Sequence, residues 1–170
     1  CVGMDGKIYP ERVARLIAQY EPDVVALQEL DVERLRTQNV NQAAVIAEML
    51  QMEFHFHPTL TFEREQYGDG ILSVHPMRLL KAGALPHIED PWLEPRGAIM
   101  AEIEAFGVRF RIINTHLSLS RRERLLQAEG LFREKRHWHL GQPGELAGAQ
   151  PIARGRHRPE VAAARFHPRI

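Results

Sequence analysis

The sequence has a single cysteine, Cys1, in 170 residues. An internal disulfide is thereby excluded, so the fold must rest on burial alone, and a reducing compartment is its expected setting. No run approaches the roughly 18 apolar residues of a spanning helix, so no transmembrane segment is expected. The first residues also lack the charged and apolar regions of a secretory leader, and together these features predict a soluble, cytoplasmic protein. The chain opens without an initiator methionine on a turn-like Gly3-Met4-Asp5-Gly6, which leads us to expect a further piece in front. Net charge is absent as well. The 22 lysines and arginines equal the 22 acidic residues, so no whole-chain attraction to nucleic acid or anionic membrane follows.

What is present, 44% hydrophobic and 26% charged residues, is the composition of one globular domain. It excludes a disordered tail, a collagen-like repeat and a disulfide-stapled miniprotein. The zero charge is a sum of unlike parts. Residues 1–134 hold 15 basic and 20 acidic side chains, residues 135–170 hold 7 and 2, and no aspartate follows Asp90.

Pro10, then Val13, Leu16, Ile17 and Tyr20, gives the spacing of an amphipathic helix with proline in its first turn. Val24-Val25-Ala26-Leu27 predicts a short buried strand ending in Gln28-Glu29. Residues 41–52 predict a second helix, and Phe54-His55-Phe56-His57 a strand stopping before Pro58. From Gly68 the pattern is extended: 70–74, 78–85, 98–105 and 108–114, the last with a wet face. Ser120 and Glu123 can form a capping box for a third helix to about Phe132. The order predicts an α/β fold with a mixed sheet. His55 and His57 share a strand face at a spacing that could hold zinc, but no third ligand is nearby, so a structural or exposed pair is expected. His137 and His139 flank Trp138, which reads as an exposed helix end, or as a base-stacking group.

Four segments stand in order: Leu27-Gln28-Glu29-Leu30; Tyr67-Gly68-Asp69-Gly70-Ile71-Leu72-Ser73; Pro95-Arg96-Gly97-Ala98; and Ile113-Asn114-Thr115-His116-Leu117. Together they resemble the endonuclease/exonuclease/phosphatase superfamily of metal-dependent phosphoesterases, in particular its bacterial metal-dependent hydrolase branch. The resemblance covers about residues 1–133. It implies a partial two-sheet α/β sandwich with the second sheet largely missing, and a hydrolase acting on phosphodiesters or phosphomonoesters. It also implies magnesium, or manganese in its place, as cofactor.

Phosphate ester cleavage needs charge neutralised on the non-bridging oxygens, a water activated and the leaving oxygen stabilised. Magnesium takes hard oxygen ligands and keeps several waters, so Glu29 at a strand end can be its main protein anchor. His116 is the expected catalytic histidine, donating to a phosphoryl oxygen or stabilising the transition state. The fork of Arg96 suits phosphate. Asp69 is assigned a supporting hydrogen bond in the catalytic floor, and Asn114 is grouped with Arg96 as phosphate-binding. Read without the resemblance, these are a capping or solvent-facing glutamate, a histidine satisfied by a carbonyl, a surface arginine, a turn aspartate and a strand-ending asparagine.

The chain departs from the superfamily pattern in two places. The opening strand with its asparagine is missing, and so are the later glycine-aspartate-phenylalanine-asparagine motif and the water-activating aspartate and histidine. Residues 134–170 turn instead to Ala, Arg, Pro, Gly and His, as a shifted reading frame in GC-rich DNA or a truncation would produce. A weak or inactive enzyme is therefore expected, with exposed edges prone to self-association. The second reading is a non-catalytic remnant that binds phosphorylated ligands or a partner chain. The substrate class, whether nucleic acid, phospholipid headgroup or inositol phosphate, is left undecided, and the absence of a basic stripe lowers the case for duplex binding.

Overall fold

In the computed structural model the described residues are 9–137. The Gly3–Gly6 turn and the stretch from Trp138 onward, including His139 and nearly all of the basic tail, lie outside them.

Helix α1 (Pro10–Ala18) begins on a proline whose missing N–H costs nothing in the first turn. Helix α2 (Gln42–Leu50) is capped by Asn41, whose side chain accepts from the Ala44 N–H at 3.0 Å, and it ends on left-handed Gln51. Both helices lie where the periodicity predicts. A third, α3 (Arg121–His137), runs past the expected end at Phe132.

Among the described residues, six strands form two sheets of three. The first, ordered β1-β3-β2, contains β1 (Val24–Val32), β2 (Glu53–Phe62) and β3 (Glu65–Ser73). The second, ordered β4-β5-β6, contains β4 (Met77–Ala84), β5 (Gly97–Ala105) and β6 (Val108–Thr115). The expected α/β partial two-sheet sandwich is what these elements build. The mixed sheet is not: every pairing is antiparallel. The short β2–β3 and β5–β6 links can only make hairpins, whereas parallel neighbours would need long crossovers.

Alternation along β3 supplies both cores. Leu72 faces outward with Leu30 onto Ala14 of α1 and Ala43, Ile46 and Ala47 of α2, while Ile71 faces inward onto Ile99 and Ala101 of β5. The Val24–Leu27 run is only half-buried, with Ala26 exposed; the fully buried part of β1 is Leu30–Val32. His55 and His57 are structural, as expected. Both are half-buried, and burial lowers their pKa values against backbone hydrogen bonds at Met77 and Gly83 of the facing sheet.

The capping box does not form. The Ser120 N–H donates to Ser118 Oγ at 3.1 Å instead. Glu123, fully buried, turns its Oε1 to the His87 ring at 2.7 Å and the Ile88 N–H at 3.2 Å. Its burial works to raise its pKa, but these bonds and one from Ser118 outweigh that and hold it below the ordinary carboxylate value. Glu123 thus fastens the β4–β5 loop to α3, and Pro86 of that loop packs on Gly130, where an added Cβ would come within 2.8 Å of the ring.

Candidate active site

The site begins with an irregularity in β1. Leu27 pairs with Gly70 and Leu30 with Gly68, so Gln28 and Glu29 together stand opposite the single residue Asp69. Two residues against one is a β-bulge, which re-aims a side chain at a strand end. Glu29 adopts φ +59°, and among the described non-glycine residues with left-handed φ it is the one inside a strand. That conformation costs roughly 1 kcal/mol in a residue with a Cβ. In return, the Glu29 carboxylate is exposed to the cleft rather than buried in the sheet.

Asp69, almost fully buried, stabilises the bulge from the opposite strand. Its carboxylate accepts the His116 N–H at 3.2 Å and a backbone hydrogen bond from Glu29. Burial raises its pKa, and those two N–H groups, with the Arg96 charge, work in the opposite direction. Three further bonds tie the sheets at this level. Gln28 Nε2 donates to the Thr115 carbonyl at 2.7 Å, and Asn114 Nδ2 donates to the carbonyls of Leu27 and Gly70 at 2.7 and 2.9 Å.

Arg96 enters at the start of β5 and is buried. Its Nη1 lies 3.2 Å from His116 Nδ1 and its Nη2 3.3 Å from Glu94 Oε2, while its buried Nε has no hydrogen-bond partner among the described residues. An arginine has no lone pair to offer, so the first contact requires His116 Nδ1 to accept, which leaves the ring proton on Nε2. Glu29 Oε1 is 3.6 Å from the same Nδ1, too far to compete for that atom as a hydrogen bond.

Glu29, Arg96 and His116 line one cleft of about 370 Å³, together with Tyr67, Trp92, Leu93, Glu94, Ser118 and Leu119. The three residues come together as the sequence reading expects. Asp69 lies beneath them, and Asn114 sits behind the cleft without lining it. A sequence model of the endonuclease/exonuclease/phosphatase family matches residues 4–163. The chain belongs to this family.

Solved structures share the family's fold with this chain. A functionally unknown conserved protein from Enterococcus faecalis V583 is 19% identical with a TM-score of 0.57, over 75% of this chain and 52% of that one. An endonuclease/exonuclease/phosphatase family protein from Leptotrichia buccalis C-1013-b is 17% identical with a TM-score of 0.54, over 79% and 57%. TDP2 from D. rerio, complexed with single-strand DNA product, is 20% identical with a TM-score of 0.51, over 75% and 47%. This family member therefore spans about half the length of the structures it matches. No curated protein matches it.

Sequence reasoning passes over Tyr67, Trp92, Glu94 and Leu119 as members of the cleft. Tyr67 stands two residues before Asp69 on the same strand, a spacing that could have found it. Burial and the carboxylates of Glu29 and Glu94 push its phenol up to about 12, and it hydrogen-bonds Glu29. Behind it, Arg34 and Arg36 stack on its ring at 5.7 and 5.5 Å while pairing with buried Asp31.

Proposed function

We propose that this cleft binds a phosphate ester and supports its hydrolysis with magnesium, or manganese in its place. The observation that carries the reading is the convergence of Glu29, Arg96 and His116 on one cleft. The donor set fits a hard cation that keeps most of its waters, because the Glu29 carboxylate, turned out by the bulge within β1, opens into the cleft. Glu29 would hold the ion, which when bound supplies positive charge and a more acidic water.

The chain's own residues supply the rest. Arg96, whose side chain lines the cleft, offers guanidinium donors to the non-bridging oxygens. His116, held with its proton on Nε2, donates to a phosphoryl or leaving oxygen. Asp69 and Asn114 act as positioning residues: the first holds the Glu29 and His116 backbones, and the second spends its amide hydrogens on two carbonyls rather than on phosphate. Turnover is expected to be slow, because among the described residues the family's water-activating aspartate and histidine have no counterpart lining the cleft, a loss worth about 10²–10⁴-fold. A cytoplasmic setting belongs to this reading on the strength of the single Cys1. Among the described residues no helix is long and apolar enough to cross a membrane.

The test is hydrolysis of a generic phosphodiester with and without magnesium. Glu29→Gln and His116→Ala should each lower the magnesium-dependent rate by about tenfold or more, the worth of one charge-assisted contact. Equal rates in all three proteins would leave phosphate binding alone as the function. Self-association is part of the same proposal. It is favoured by the outer strand β6, where Val108, Phe110 and Ile113 are exposed. Sedimentation should give a mass that rises with protein concentration, and a monomer throughout would count against it.

A further inference from the structure

The β4–β5 loop carries a tryptophan where burial would be the norm. Trp92 is 90% exposed, yet it lines the same cleft as Arg96 and His116. Leaving an indole in water forgoes the largest hydrophobic gain any side chain offers. It is also held there. The Trp92 N–H donates to Asp90 Oδ1 at 2.9 Å and the Leu93 N–H to the Asp90 carbonyl at 3.0 Å, a turn with Pro91 at its first central position. The loop's neck is closed by the Leu85 N–H on the Arg96 carbonyl at 2.7 Å, and its flank by Glu123. Leu119, 84% exposed and after the last strand, lines the cleft as well.

We infer that Trp92 is the specificity-determining residue of this site: its indole stacks on the base of a nucleotide whose phosphate lies at Arg96 and His116. The inference rests on the phosphate-binding reading and adds the chemical class of the ligand. An aromatic face beside a phosphate-binding group suits a ligand that joins a planar ring to a phosphate, as a nucleotide does and a polyol phosphate does not. Stacking on an aromatic side chain is strong and tolerant of base identity. Charge narrows the class further. Glu89, Asp90 and Glu94 are exposed within three residues of Trp92, so the lip repels an anionic membrane and a long polyanionic strand alike, and a single nucleotide is the ligand that fits. A cleft of about 370 Å³ is at the small end of ligand sites.

The experiment uses the full chain with Trp138→Phe, so that emission reports Trp92 alone, titrated in magnesium with adenosine 5′-monophosphate, with ribose 5-phosphate and with phosphatidylglycerol vesicles. Adenosine monophosphate should quench Trp92 and bind about tenfold or more tighter than ribose 5-phosphate. Trp92→Phe, followed by calorimetry, should keep that preference, and Trp92→Leu, equally apolar but without a ring, should abolish it. Ribose 5-phosphate binding as tightly as the nucleotide would overturn the role of Trp92 while leaving the phosphate site standing. Failure of both to bind would overturn the two together. A blue-shifted emission with vesicles and none with nucleotide would assign the tryptophan to lipid.

Discussion

Gly68→Ala is expected to abolish folding at ordinary temperature. Gly68 lies in the middle of β3 opposite Pro58, and a Cβ there would sit 2.8 Å from Pro58 Cα and closer still to the His57 carbonyl oxygen. Both contacts are backbone, so no rotamer change can relieve them. Overpacking a core costs about 1–3 kcal/mol where side chains can give way, and more where they cannot; domain stability is only about 5–15 kcal/mol. Far-ultraviolet circular dichroism and a thermal melt would show the loss, and a melt within a few degrees of the parent would mean that the strands separate at little cost. Gly83→Ala is the control, since a Cβ added there would meet nothing within 4 Å.

The second large effect is expected at Asn114. Its amide nitrogen bonds the carbonyls of Leu27 and Gly70, the register pair of β1 and β3 that borders the bulge, from the opposite sheet. Asn114→Leu keeps the bulk and removes both donors. Each carbonyl left dry and unpaired costs about 1–3 kcal/mol, so a loss of several kcal/mol in urea denaturation is expected. Magnesium-dependent activity should fall further than the folded fraction does, because the bulge that presents Glu29 relaxes. Unchanged stability would show that water replaces the amide.

Much of the fold is legible in the sequence, and the departures have physical causes. Pro10 with the Val13 spacing marks α1, and Asn41 before an apolar run marks α2, because caps and periodicity are local signals. The strand signal of β1 fades at Leu27 because the bulge breaks the alternation that identifies a strand, and the continuation through Leu30 and Val32 loses phase. The strand signal of β2 fades at Pro58 because proline usually ends a strand. In this fold it lies on an edge strand, where proline is tolerated, and it faces Gly68, which has no side chain. Of the site, Arg96 and His116 are readable because they flank strands β5 and β6, and Glu29 because the apolar run before it stops at the bulge. Trp92 is not, since a loop side chain reaches the cleft only through the Asp90 turn and the Glu123 bond, and Glu123 is far in sequence from the loop it fastens.

The carboxylate of Asp69 links the backbone at Glu29 to the backbone at His116, and these belong to different sheets. The gap between Glu29 and His116 is therefore set by the spacing of the two sheets. Ile71 and Ile99, which meet between the sheets, act as spacers for that gap. The size of those two apolar side chains therefore sets a distance at the cleft as well as the density of the core.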